Sequence, residues 1–402
     1  MKKILLSLMT LVSLTASAQF GGFGGRSQGN PWVPSEAAIS EDFKPALSNQ
    51  DSKQYPMVNS ARQVRAQISA PEATKVGLDI AGKIYTMTKD ENGVWTGTSA
   101  PQDPGFHYYQ LNIDGASVPD PTSLYYYGAS RWGSGIEVPS DDQDFWQVKN
   151  VPQGTMSEVF YYSSYTEQMR RCFVYLPNEY YTNPTKKFPV LYLQHGMGEN
   201  EYSWPYQGHV ASILDNLIAA KKAVPFIVVM DNGLNANAPR PAGERPQGGQ
   251  RPQGGFGGFG GFGGGFADGF KNVLFNDIMP MVEKNYRVIA DPAHRAYAGL
   301  SMGGMQAREV TLANPGKFAY VGSFSSGAWS VDQVKNSEGF AKNTKLLFMS
   351  GGGKENMGCV EAAKNIKEQL GMNAVGYESP GTAHEFHTWR RSLYEFAQLL
   401  FK

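Results

Sequence analysis

The chain is 402 residues long, enough for two ordinary domains and a sizeable buried core. Lys plus Arg and Asp plus Glu both number 36, so no charge excess draws the protein to nucleic acid or to an anionic membrane surface. With only Cys172 and Cys359, a disulfide framework is excluded, and their places in the order of elements below point to two buried, unreactive thiols.

Met1-Lys2-Lys3 is basic, residues 4–14 are mostly apolar, and Ala16-Ser17-Ala18 offers a small-residue cleavage site before Gln19. This predicts a secretory signal peptide over residues 1–18, too short for a stable membrane span, and a soluble protein exported to the periplasm or beyond. Residues 19–30 (QFGGFGGRSQGN) read as a Gly-rich tether. Residues 31–150 read as all-β. Strands over 64–68 and 75–80 alternate at period two, and the runs 84–88 and 94–98 flank Asn92-Gly93, a hairpin signal. A further strand over 107–113 closes at Asp114-Gly115. Short strands at this spacing predict a β-sandwich.

From residue 151 the pattern changes. A hairpin of 157–163 with 169–176 comes first. Apolar strands over 189–193, 225–230, 294–300, 318–324, 345–349 and 374–378 then alternate with helices over 210–222, 276–285, 302–313, 359–370 and 388–401. Such alternation predicts an α/β domain over residues 151–402 with a mostly parallel sheet, whose ligands sit at the carboxyl ends of the strands. Residues 235–268, dominated by Gly, Pro and Phe, cannot offset the entropy of ordering and read as a mobile surface insertion.

Gly299-Leu300-Ser301-Met302-Gly303 fits G-x-S-x-G between a buried strand and a helix. At such an elbow the serine is held in a strained conformation, and small residues on both sides let strand and helix approach. A serine nucleophile needs a base. Of six histidines, His384 follows the last strand, after the nucleophile and after any acid, which is the chain order of an α/β-hydrolase; His387 is its rival. Gln194-His195-Gly196-Met197-Gly198 follows an earlier strand and would carry an oxyanion donor on Met197, with Met302 N–H as the other. His384-Glu385-Phe386-His387 places its histidines three apart, where a zinc helix needs four, so a metal site is set aside.

These residues carry two resemblances. From about residue 156 to 402 the chain resembles the esterase D and feruloyl esterase branch of carbohydrate esterase family 1. The matching residues are the 191–198 stretch with Glu201 and Trp204, then Asp277, Ile278, Pro280, the 283–287 stretch, the elbow at 298–304, His384-Glu385-Phe386 and Trp389-Arg390-Arg391. The β domain is similar to the immunoglobulin-like, family 48 carbohydrate-binding module, through residues 90–95, 106–109, Asp114-Gly115 and Asp120-Pro121. The first resemblance implies an α/β-hydrolase fold, no cofactor, and cleavage of feruloyl or acetyl esters on plant xylan or xylo-oligosaccharides. It also implies that His195, Gly196, Glu201 and Trp204 take part in binding substrate.

The family's acid is an Asp in the loop after the next strand, but here that loop reads Gly353-Lys354-Glu355-Asn356. Glu355 is the expected acid and Asn356 the second choice, because an amide orients an imidazole without supplying charge. A siderophore esterase of enterobactin type shares the two-domain layout and remains an alternative. So does an impaired hydrolase that only binds glycan. The sequence is silent on oligomeric state.

Overall fold

Eight strands build the sheet of the C-terminal half, in the order Thr155–Ser163, Gln168–Leu176, Ile227–Asp231, Val190–Gln194, Arg295–Leu300, Tyr320–Phe324, Leu346–Gly352 and Ala374–Ser379. In this computed structural model, residues 29–234, 236 and 267–402 are described. The predicted signal peptide, most of the tether, and nearly all of the Gly/Pro/Phe-rich insertion therefore lie outside the described residues. The first two strands pair antiparallel, the second is antiparallel to Ile227–Asp231, and the rest are parallel. An apolar run buried on both faces needs helices on both sides. In Val190–Gln194, Val190 and Tyr192 enter one core while Leu191 and Leu193 enter the other.

Chain order matters more than strand count. From Val190–Gln194 the chain passes through helix Val210–Ala219 to a neighbour on one side, Ile227–Asp231. It then returns to the other side as Arg295–Leu300. The switch point falls between Val190–Gln194 and Arg295–Leu300, and the loops leaving their carboxyl ends are the 194–208 stretch and the turn at Ser301. The helix expected over 276–285 starts earlier, at Asp268, and runs through a π-helical stretch, Leu274–Ile278, into Met279–Asn285. Asp277 within that stretch accepts hydrogen bonds from the Ser163 hydroxyl at 2.5 Å and the Ser164 N–H at 2.9 Å, tying the helix to the hairpin end.

The N-terminal half holds two further sheets around a core of Val64, Leu78, Tyr85, Trp95, Tyr109 and Leu111, consistent with a sandwich. One difference from expectation lies in the run 84–88. Lys83–Thr86 pairs with Val76–Ile80 in one sheet, whereas Thr88–Lys89 pairs with Val94–Pro101 in the other. Met87, buried between them, marks the crossing. The strands Tyr125–Gly128 and Arg131–Val138 escaped the sequence reading, because Gly128, Gly133 and Gly135 break the side-chain alternation. Both cysteines are free and buried, and burial raises both thiol pKa values.

The halves share a core. Phe106 of the sandwich is fully buried and meets Phe386 edge-on at 5.9 Å, and Tyr126 joins the same cluster as Trp204, Phe386 and Trp389. At the back of this contact the Arg390 guanidinium, 0% exposed, grips Glu137 with both nitrogens and packs over the Trp146 ring at 4.6 Å. No helix among the described residues is long and apolar enough to cross a membrane.

Candidate active site

Strand Arg295–Leu300 delivers Ser301 to a turn from which helix Met302–Ala313 starts. Ser301 has φ 50° and ψ −115°, outside the regions an L-residue ordinarily occupies. The glycines of the elbow are there for contact. A Cβ on Gly299 would stand 2.4 Å from the Gly303 carbonyl carbon, and one on Gly303 would stand 2.6 Å from His195 O and 2.7 Å from Gln194 O. Strand, helix and the 194–198 turn thus meet backbone to backbone, which only glycine permits.

Ser301 Oγ–H donates to His384 Nε2 at 3.0 Å, and His384 Nδ1–H donates to Glu355 Oε1 at 2.7 Å. A carboxylate only accepts, so the proton must lie on Nδ1 and the Nε2 lone pair must face the serine. Glu355 Oε2 accepts the Ser325 hydroxyl at 2.6 Å and the Gly352 N–H at 2.7 Å, and its side chain is 5% exposed. Burial pushes this carboxyl up, but the His384 hydrogen bond and charge, Ser325 and Gly352 outweigh it and leave its pKa below the usual value. Asn356 is exposed and holds the left-handed conformation (φ 52°) that ends the short turn Gly353–Glu355, a role asparagine tolerates well.

Ser325 was not foreseen. It follows strand Tyr320–Phe324 in a left-handed conformation (φ 48°), and Ser325-Ser326-Gly327 after a buried strand was the available sign. The oxyanion donors expected on Met302 and Met197 belong to the two segments that meet at Ser301. Met302 opens its helix, where an N–H has no intrahelical acceptor, and the turn carrying Met197 lies against Ser301: a Cβ on Gly196 would stand 3.4 Å from Ser301 Cβ.

The residues expected to bind substrate need correction. Trp204 is 1% exposed, gives its indole N–H to Gln194 O at 2.9 Å, and packs against Phe324 and Phe386; it supports the turn from inside the core. His195 is equally buried, with Nδ1 on Gly196 O at 2.7 Å and Nε2 taking the Gly233 N–H at 3.0 Å, and burial lowers its pKa to about 4. Glu201 is held by Arg171 and by Asn232 Nδ2 at 3.0 Å. All three shape the turn around Gly196, and none presents a free group to a ligand. Their closeness to the motif in sequence could not reveal which way they face. His387, the rival base, is 1% exposed, and neither of its ring nitrogens makes a hydrogen bond, to Ser301 or to Asp142, which stands 3.2 Å from Nε2 outside hydrogen-bond geometry. Among the described residues no group of three His, Cys, Asp or Glu is arranged to hold a metal ion.

The sandwich reaches the rim of this site. Ser130 N–H donates to Gly198 O at 2.8 Å, and Lys354, beside Glu355, pairs with Asp103 at 2.9 Å.

A mostly parallel sheet with its switch point at a strained serine and an adjoining glycine turn defines an α/β-hydrolase. The chain belongs to the family described as putative esterase, whose model matches residues 163–399. It is 42% identical over 370 residues to an endo-1,4-beta-xylanase/feruloyl esterase of Xylanibacter ruminicola. That match covers 90% of this chain and 48% of the relative, so the chain spans about half the length of that protein. Among solved structures, a CE1 ferulic acid esterase from Anaeromyces mucronatus has 22% identity and a TM-score of 0.50, covering 64% of this chain and 95% of that one. The enterobactin esterase of Shigella flexneri has 16% identity and a TM-score of 0.57, covering 84% and 92%. At these identities both likenesses speak for the fold alone.

Proposed function

We propose that this protein is an exported serine carboxylic-ester hydrolase that removes feruloyl groups, or acetyl groups as the finer alternative, from xylan or xylo-oligosaccharides. The observation that carries the chemistry is the unbroken hydrogen-bonded chain from Ser301 through His384 to Glu355. The acyl group and the glycan are suggested by the relative named as a xylanase/feruloyl esterase. Export follows from the signal-peptide pattern of residues 1–18.

Ser301 Oγ attacks the ester carbonyl while its proton passes to His384 Nε2, and Glu355 stabilises the imidazolium that forms. The carbonyl oxygen, now negative, is held by the N–H groups of Met302 and Met197. His384 then gives the proton to the departing sugar hydroxyl, leaving an acyl-serine. Water attacks that ester with His384 again as base, which releases the acid and restores the serine.

The test is a panel of feruloyl, p-coumaroyl, acetyl and siderophore esters offered to the wild type and to Ser301→Ala. Hydrolysis of feruloyl esters that disappears in the variant supports the reading. Retained activity in Ser301→Ala defeats it, and preference for the siderophore ester moves the substrate to the alternative layout that the enterobactin esterase shares.

A further inference from the structure

Glu199 stands between the two halves of the molecule, two residues after Met197, and the steps above do not use it. It is 1% exposed. Its Oε2 accepts the Gly196 N–H at 3.1 Å, and its own N–H returns to Gly196 O at 3.3 Å, so side chain and backbone close the same turn. Met197 lies within that turn. The point where a Cβ on Gly196 would stand is 3.4 Å from Glu199 Oε2 and also 3.4 Å from Ser301 Cβ. Leu300 Cδ1 stands 2.6 Å from the same point, so the space beside Gly196 is filled, and the carboxyl and the nucleophile's residue both pack against this one glycine.

Around the carboxyl are the Gly196 N–H of its own turn, Ser301 of the elbow, and from the sandwich the Tyr108 phenol, which is held by Gln207 Nε2 at 2.7 Å. Oε1 is buried with no hydrogen-bond partner. No ion pair joins Glu199 to a Lys, Arg or His among the described residues; burial and the Gly196 N–H are what act on it. A carboxylate so placed is unfavourable, and a neutral acid is tolerated.

We propose that Glu199 is a positioning residue that works as a neutral carboxyl, anchoring Gly196 so that Met197 N–H stays aimed at the oxygen developing beside Ser301. The role rests on the esterase reading above. In its neutral form Glu199 adds no charge beside the oxyanion. Once ionised, it sets a second negative charge next to the one forming in the transition state, which works against the donors of the oxyanion hole. Burial raises its pKa to about 8, against the opposing pull of the Gly196 N–H, so the change falls at mildly alkaline pH.

The experiment compares kcat and KM of the full chain on an aryl ester from about pH 6 to pH 10, for wild type, Glu199→Gln and Glu199→Ala. Wild-type kcat should fall about tenfold through the alkaline limb with KM little changed, and Glu199→Gln, which cannot ionise, should lack that limb. Glu199→Ala frees the turn and should lose on the order of 10- to 100-fold in kcat at every pH.

A second readout does not depend on turnover. With its folded pKa above the unfolded value of 4.5, Glu199 holds a proton in the fold that the unfolded chain has lost, so its contribution is fully present below pH 4.5 and is lost as pH rises through about 8. The melting temperature of the wild type, measured relative to Glu199→Gln, should therefore decline between pH 5 and pH 9. An active wild type whose alkaline limb survives in Glu199→Gln, or melting curves that run parallel, overturns the role of Glu199 alone. A wild type that hydrolyses no ester overturns the reading of the site, and this role with it.

Discussion

Arg390 and Glu137, 253 positions apart, meet as a fully buried two-pronged ion pair that joins the helix following His384 to the β-sandwich. Burial pushes Glu137 up, but Arg390 and His209 outweigh it and bring its pKa to about 2. Removing one partner leaves an uncompensated buried charge. Glu137→Ala should lower stability by about 3–5 kcal/mol, and replacing both residues by Met should cost much less. Urea unfolding of the single and double variants measures this.

The same contact makes the sandwich part of the hydrolase rather than an appended module. Phe106 and Tyr126 complete the core that holds Phe386 and Trp389. A chain beginning at residue 151 would expose that face together with Arg390. It should aggregate or bind a hydrophobic dye, and lose most of the esterase activity of the full chain. A soluble, fully active truncation would contradict this.

Glu355 and Asn356 can be told apart directly. Glu355→Gln keeps the shape but removes the charge facing His384 Nδ1, and kcat should fall by on the order of 10⁴. Asn356→Asp should change kcat by less than about threefold, since Asn356 is exposed and it is Glu355 that bonds His384. Ser325→Ala removes one hydrogen bond to the carboxylate, and a loss of about tenfold is expected.

Gly303→Ala tests the contact between elbow and oxyanion turn. The added Cβ would press on His195 O and Gln194 O, at 2.6 and 2.7 Å, and backbone atoms can yield only by moving the turn. Stability should fall by about 1–3 kcal/mol, and kcat by on the order of 100-fold, with the larger effect in kcat. Stopped-flow turnover together with thermal melts separates the two effects.

Acid should destabilise the fold through its buried histidines. Burial holds His195 and His387 neutral, each with a pKa of about 4 against 6.5 in the unfolded chain. Their stabilising contribution is present above about pH 6.5 and is lost as pH falls through about 4, at most about 3 kcal/mol each. The Glu199 contribution has the opposite sign, so the comparison must be with a variant. His387→Gln should melt with a shallower decline than wild type between pH 6.5 and pH 4, and identical slopes would contradict the assignment.

Much was already determined by local sequence. The period-two and apolar runs placed most of the strands, Tyr125–Gly128 and Arg131–Val138 excepted, and helices Met302–Ala313 and Cys359–Leu370 fall where their patterns and flanking residues put them. The elbow at Ser301 and the late His384 were readable because chain order and glycine spacing are local properties. Tertiary structure decided the rest. Glu355 rather than Asn356 meets His384 because the turn Gly353–Glu355 aims one side chain inward and leaves the next in a left-handed exit, a difference of backbone angles that letters do not carry. Trp204 and His195 lie beside the motif, yet they are buried, because what a side chain faces depends on elements packed from far along the chain. Glu199, with its carboxyl among Gly196, Ser301 and Tyr108, became visible only once two sheets had been folded against each other. Desolvation of that kind belongs to the assembled core and to no single segment of sequence.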